Sequence, residues 1–464
     1  MVLFLMYIKS RHNELDKETG DEMIAKKLWT VLIVILISAI ALFGCEKKYN
    51  TTLDNNSATS HASDSLSQQK EVRKEEIGTP LLLEIPEGKG ENILTIANET
   101  VLFSIFSLEG EMQSCFYSKN IKTNKEIQLL SLDNLYMFSN KAAVYKQNNI
   151  YFVMPDASTY RATGYNEIYE AQNRIVCFNT TQGTGEVVKT YPSGDLLTYP
   201  AVLDENRLAL NTSVCSKERQ ESSVSIYAPE DNSLIPVVTK QLYRPDESIL
   251  WSDFRSSAPP EGMKGEAIHS FAVHEGELYL LVSELSGNEG QKPVYRLEIY
   301  SPEGEPVGVI PLDAFGHNSY LNTTILPQAQ TMQVSGRHIF FQTFSSQTAL
   351  LERTGRESVS TELVWRGVQG GLWEGESLSN PQVLLRSADG NWLLDSETGE
   401  VEKIGFLSPN ASREYGRRDG NRALVHTSFE ADGESWTEEL YYDDLEDAIR
   451  QARERKTKNK ATAK

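Results

Sequence analysis

The chain has 464 residues, a formal net charge of −20, 39% hydrophobic residues and four cysteines. The hydrophobic share supports a real core, whereas the acidic balance argues against a general nucleic-acid binder, which needs a basic footprint. So few cysteines exclude a disulfide-stapled miniature scaffold, and the length allows about three domains or one large all-β fold.

The charge is uneven. Residues 1–48 carry +1 and residues 449–464 carry +6, so the body between them holds −27. Such a body stays soluble and repels nucleic acid and anionic bilayers.

Residues 1–22 fit no signal design, because the acidic stretch Glu14 to Glu22 stands where a positive n-region belongs. We read translation as beginning at Met23. From there the chain runs Met-Ile-Ala-Lys-Lys, then a 16-residue apolar run from Leu28 to Phe43, then Gly44-Cys45. This is the layout of a secretory signal, and it falls short of the ~20 apolar residues of a transmembrane helix. The end of the run, Leu42-Phe43-Gly44-Cys45, resembles the lipobox of bacterial lipoproteins. The resemblance implies that the signal peptide 23–44 is cut between Gly44 and Cys45 and that Cys45 carries a lipid anchor, diacylglyceryl and palmitate-type acyl chains. The protein would then sit on the extracytoplasmic face of the cell membrane. The alternative is an uncleaved anchor with Cys45 as an interfacial thiol.

Residues 45–79 follow as a disordered tether, rich in Asn, Ser, Thr, Gln and Lys and almost free of large apolar residues. Over 34 flexible residues its span is about 30 Å.

From 80 to 442 short apolar runs alternate with Gly, Asn and Asp turns, as in Asn148-Asn149-Ile150-Tyr151-Phe152-Val153, and no long amphipathic helix interrupts them. A strand, a polar turn and a second strand recur at turns near Asn124, Gly185, Asp231, Gly304, Gly355, Gly399 and Gly433. The mean interval of about 51 residues is near the period of four-stranded propeller blades. The two longest intervals contain insertions, Pro155 to Asn173 and Gln241 to His269. The last interval is too short for four strands, and Leu81-Leu82-Leu83-Glu84-Ile85 is expected to supply the missing strand and close the ring. The expected fold is an all-β propeller of six or seven four-stranded antiparallel blades. The hairpin Leu394-Asp395-Ser396-Glu397-Thr398-Gly399-Glu400 resembles quinoprotein-like propeller repeats. That resemblance implies the fold and not the quinone, since the Trp those repeats carry after the Gly is absent. Asp389-Gly390-Asn391-Trp392 and Asp432-Gly433-Glu434-Ser435-Trp436 are similar to the sialidase Asp-box, lack its spacing, and read as hairpin turns.

Residues 443–464 form a helix and basic tail, with Asp443 and Glu446 in capping-box-like positions and Leu445, Ile449 and Ala452 on one side. Phosphate-loop, metalloprotease, nucleophile-elbow and EF-hand motifs are absent, so neither cofactor nor metal is expected. His269 and His274, at i and i+5, are expected on opposite faces of their strand. Cys115, Cys177 and Cys215 fall in or beside strands as small core residues or one disulfide and a spare thiol.

Three loops remain as candidate ligand sites. The first carries Tyr160, Arg161, Tyr165, Glu167 and Tyr169, the second Trp251, Asp253, Phe254 and Arg255, and the third Trp373 and Glu374. Exposed aromatics beside charges suit a sugar or a peptide; packing against the loop's own blade is the competing reading. The resulting expectation is a monomeric, membrane-anchored binding or interaction module for envelope proteins or glycans. Its rivals are an exported carbohydrate-active hydrolase or lyase and a structural accessory of an envelope complex. Cys45→Ser should release the protein from membranes, checked by fractionation and intact mass. Unchanged retention with no loss of acyl mass would refute lipidation.

Overall fold

The computed structural model describes residues 78–462 apart from 108–113, 133–142, 156–160, 164–167, 195–199, 313–319 and a few shorter stretches. All of it belongs to one compact unit, Lys74–Lys464. Gly44, Cys45 and the tether up to residue 77 lie outside the described residues, as do Tyr160 and Tyr165. Among the described residues no helix is long and apolar enough to cross a membrane.

The described strands form six antiparallel sheets. Sheet I holds Lys89–Ala97, Thr100–Ser107, Ser114–Asn120 and Glu126–Leu132. Sheet II holds Ala143–Tyr145, Asn149–Pro155, Ile168–Asn179 and Thr184–Gly194, with the insertion strand Arg161–Thr163 paired onto Ile168–Asn179. Sheet III has eight strands. Its first half is Ala201–Val202, Leu208–Cys215, Arg219–Ala228 and Ser233–Tyr243, and its second half is Lys264–His274, Glu277–Ser286, Val294–Tyr300 and Pro306–Pro311. Sheet IV holds Ala329–Ser335, His338–Thr343, Thr348–Gly355 and Ser358–Gly367. Sheet V holds Gly371–Leu372, Gln382–Ser387, Gly390–Asp395 and Val401–Gly405. Sheet VI holds Ala411–Asp419, Arg422–Ala431 and Glu434–Tyr442, completed by Thr79–Pro80 from the other end of the chain.

These sheets make a β-propeller. Hydrophobic clusters join I to II, II to the first half of III, that half to the second, the second half to IV, IV to V, V to VI, and VI back to I. Each four-strand meander is therefore apolar on both faces and packed on both sides. The first strands meet at the hub: Ala201–Val202 touches Ala143–Tyr145 and Lys264–His274, Lys264–His274 touches Ala329–Ser335, and Ala411–Asp419 touches Lys89–Ala97.

The described strands do not separate into the six or seven four-stranded blades expected. Only five stand alone at blade size, because the fourth strand of one meander continues into the first strand of the next through Leu242↔Gly265 and Tyr243↔Lys264. Gly265 permits this approach: at φ +111 a Cβ there would lie 2.3 Å from the Gln241 carbonyl oxygen. Ion pairs clamp the join. Lys240 Nζ lies 2.9 Å from Glu266 and 2.8 Å from Glu298, while Arg296 pairs with Glu266, Glu284 and Glu298.

The recurrent turns are joints between third and fourth strands, with Asn124, Gly183, Asn232, Gly304 and Gly399 at positive φ. Gly433 falls one strand earlier, between Arg422–Ala431 and Glu434–Tyr442, because the fourth strand of sheet VI comes from the N-terminal side. This accounts for the short last interval. In the Asp395 turn the carboxylate accepts the backbone N–H groups of Glu397 and Thr398 at 3.0 and 2.9 Å. That Asx arrangement is the physical content of the Asp-x-x-Thr-Gly pattern.

A second repeat was not read from the sequence. In all but sheet VI the fourth strand of each meander carries a one-residue bulge, at Leu129, Val188, Val237, Val307, Val364 and Ile404. Every bulged residue is aliphatic and packs into the cluster shared with the following meander. A bulge re-aims one side chain without breaking the strand, and here it turns that side chain into the inter-sheet seam.

Two local expectations are corrected, and the cysteines are placed. The closing strand is Thr79–Pro80, two residues ahead of the expected run. Leu81 still donates its N–H to Glu439 O at 2.7 Å, and Leu81, Leu83 and Ile85 pack on Val101, Phe103, Leu424 and Tyr441. The helix Leu445–Thr462 is capped by Asp444, whose Oδ1 accepts the Asp447 N–H at 3.0 Å, and by Asn421, rather than by Asp443. It packs against sheets V and VI, and Arg453 pairs with Glu402 while Arg455 donates to Phe406 O. Cys115 and Cys177 are free thiols, the latter buried; the Cys215 side chain lies outside the described residues.

Replacing both Leu81 and Leu83 by Ala should cost about 3 kcal/mol of unfolding free energy in urea. Leu82→Ala, at 76% exposure, should cost under about 0.5 kcal/mol.

Candidate functional site

The ends of the first strands converge at one mouth of the hub. There a cavity of about 590 Å³ is lined by Val202, Val273, His274, Ser335, Arg337 and Ser396, among others. The lining comes from turns of four successive meanders, so ladder hydrogen bonds hold it in place. A neighbouring cleft of about 470 Å³ shares Gly336 and Arg337 and extends along Glu352, Arg353 and Thr354.

His274 sits at the edge of this mouth. Its Nε2 accepts the Gly336 N–H at 3.1 Å, which places the neutral ring's proton on Nδ1. Burial lowers its pKa, with the Arg353 charge adding to the effect against Glu275 and Glu277. Arg337 donates to Glu397 O at 3.1 Å and pairs with Glu352. The mouth thus offers a neutral imidazole, a guanidinium and two hydroxyls above an apolar floor of Leu203, Val334 and Leu378.

The aromatics of the insertion loops are placed differently from the exposed reading. Phe254, in the short 3₁₀ turn Trp251–Arg255, is 3% exposed and packs with Leu242, Met263 and Leu285. Its ring meets His269 edge-on at 4.9 Å, and Arg255 lies 5.0 Å over it and donates to Ala329 O. His269 is the bulged residue of its strand, and it turns to bond Pro327 O at 3.1 Å and Ser283 Oγ at 2.8 Å. Burial, followed by the Arg255 charge, holds its pKa well below the ordinary value. A serine on a histidine has the connectivity of a nucleophile and its base. Ser283 is 0% and His269 1% exposed, however, so the pair is a structural lock between sheets III and IV. The side chains of Trp251 and Tyr169 lie outside the described residues.

Trp373 is 1% exposed and wedged between sheets V and VI. Its indole N–H donates to Asn391 Oδ1 at 3.2 Å, and Asn391 donates to Glu414 at 2.6 Å. Glu414 also accepts the Leu407 and Ser408 N–H groups, each at 2.7 Å. Only glycine fits at 416, where a Cβ would lie 2.1 Å from the Trp373 ring. Burial pushes the Glu414 carboxyl up to about 7, against the pull of its N–H donors. Among the described residues no group of three or more His, Cys, Asp or Glu is placed to hold a metal. In the sequence His274 stands out only as one of a histidine pair and Trp373 only as a loop aromatic, while Asn391 and Glu414 carry no signal as partners of Trp373; the readable signal was the position of His274 immediately before the Glu275-Gly276 turn that ends an inner strand.

No protein-family model and no curated protein matches the sequence. Among solved structures, the propeller domain of the Trilobed protease from Pyrococcus furiosus is similar at 11% identity, TM-score 0.40, over 76% of this chain and 98% of that one. A prolyl endopeptidase is similar at 12% identity and TM-score 0.43, over 84% of this chain, which spans only 51% of that protein. The GH93 α-L-arabinofuranosidase of Fusarium graminearum is similar at 7% identity and TM-score 0.37, over 80% and 99%. At these values the likenesses say nothing about activity.

Raising a carboxyl pKa from 4.5 in the unfolded chain to about 7 in the folded one makes the native state bind the extra proton. The Glu414 contribution is then fullest at pH below 4.5 and is lost as pH rises through about 7. Unfolding free energy in urea should fall between pH 5 and pH 8, and Glu414→Gln should flatten that fall. An unchanged slope in the variant would refute the assignment.

Proposed function

We propose that this chain is a lipid-anchored extracytoplasmic binding module, tied to the membrane through Cys45, whose ligand seats in the hub mouth beside His274, Ser335 and Arg337. The observation that carries this reading is the cavity itself. Its volume of about 590 Å³ lies in the range of small-ligand sites, with a few polar groups around an apolar floor, and it is built from rigid turns rather than a long loop. Such a site suits one or two sugar units or a short peptide. In this reading sheet III counts as two fused blades, which makes seven in all, and seven inter-meander clusters among the described residues support that count.

The test is calorimetric titration of the detergent-solubilised chain with peptidoglycan-derived muropeptides and short envelope glycans. Saturable binding that weakens about tenfold or more in both Ser335→Trp and Arg337→Ala, with thermal unfolding unchanged, would support the reading. Binding indifferent to both substitutions would overturn it. Turnover of a glycan by the purified chain would replace it with the carbohydrate-active enzyme.

A further inference from the structure

We propose that the hub wall between sheets V and VI carries an oxyanion site, formed by Arg386, Arg413 and Arg417 around Tyr415, that takes a carboxylate or phosphate group. This proposal does not rest on the mouth cavity and stands or falls separately from it.

The argument begins with strand geometry. Alternate residues of a strand share a face, so Arg413, Tyr415 and Arg417 of the strand Ala411–Asp419 lie on one side, away from the Gly416 contact with Trp373. Being a first strand, it stands at the hub. From sheet V, Arg386 reaches onto that face, its guanidinium carbon 4.3 Å from the Tyr415 ring centre, and the Arg417 guanidinium lies 5.0 Å from the same ring. Arg413 is exposed and gives the cluster a side open to solvent.

The charges do not balance. Among the described residues the carboxylate paired with these three guanidinium groups is that of Glu374, 2.8 Å from Arg417. Glu414 belongs to the opposite face, where backbone N–H groups and Asn391 hold it. Arg386 Nε is buried and has no hydrogen-bond partner among the described residues. A buried donor without an acceptor is unfavourable, the more so when charged, and like charges brought together raise that cost. Burial, with repulsion from Arg413 and Arg417 opposing the pull of Glu374, brings the Arg386 pKa down to about 10. The Tyr415 ring face offsets this in part through its cation–π contacts. It supplies no lone pair for the N–H groups. An oxyanion supplies both what the guanidinium fork is shaped to bind and the missing negative charge.

The probes are inorganic phosphate and D-glucuronate, each titrated by calorimetry into the detergent-solubilised full chain at low ionic strength, where charge-assisted binding is least screened. We expect saturable binding of at least one of them, weakened about tenfold or more by Arg386→Gln and by the exposed-site Arg413→Gln, and unchanged by Arg356→Gln on sheet IV. Saturation by phosphate alone identifies a small inorganic or phosphoryl ligand, by glucuronate alone a sugar acid, and by both a general oxyanion seat. Should Arg386→Gln fail to fold, Arg413→Gln keeps the test decisive. No saturable binding of either probe up to about 10 mM, or binding equal in wild type and both variants, would overturn the site. Ser335→Trp at the mouth should leave this binding untouched, so failure of one site is distinguishable from failure of the other.

Discussion

Everything in this structure follows from one requirement: each four-strand meander is apolar on both faces, and neither face can be left to water. A two-layer sandwich covers one face per sheet, whereas a ring covers both, provided the last meander meets the first. At roughly 25 cal/mol per Å² of apolar surface removed from water, leaving one seam open would forfeit a contribution comparable to the net stability of an ordinary domain. The seam between sheets VI and I, with Val101 and Phe103 against Leu424 and Tyr441, is thus equivalent in kind to the other seams. The aliphatic bulge residues serve the same end. Each spends one ladder register to point an additional methyl-bearing side chain into the next seam.

The fold was legible in the sequence where chemistry is local. Turns need positive φ, so Asn124, Asn232 and Gly399 announce themselves, and the Asp395 Asx turn is written in four adjacent residues. The foreshortened last interval correctly pointed to a strand borrowed from the other end. Features that depend on partners far along the chain were not legible. Val188 or Val364 looks like any strand valine until its neighbour across the ladder is known, and the fusion of two meanders into sheet III turns on the φ of Gly265.

The candidate sites show the same division. Phe254 and Trp373 were marked because aromatics in glycine-rich or inserted segments are often exposed; here they are the apolar fill beneath those segments, at 3% and 1% exposure. The residues that do line open space, such as His274, Ser335 and Arg337, are ordinary polar residues near turns. They acquire meaning only when four meanders bring their turns to one mouth. The three arginines around Tyr415 are likewise spread over Arg386 to Arg417, and only strand alternation and the meeting of two sheets unite them.

The pairing of Thr79 with Tyr441 has a consequence for how the molecule comes into being. Loop-closure entropy rises only logarithmically with length, so joining nearly the two ends of the described chain costs little at equilibrium. Kinetically it is a contact of almost maximal sequence separation, the kind that slows folding. A chain emerging N-terminus first has its closing strand available from the outset and nothing to pair it with until Glu434–Tyr442 appears. For that whole interval the face of sheet I that will meet Leu424 and Tyr441 is uncovered. The same joint that seals the finished ring therefore leaves the growing one exposed, and the ring becomes a closed body only once Glu434–Tyr442 has been made.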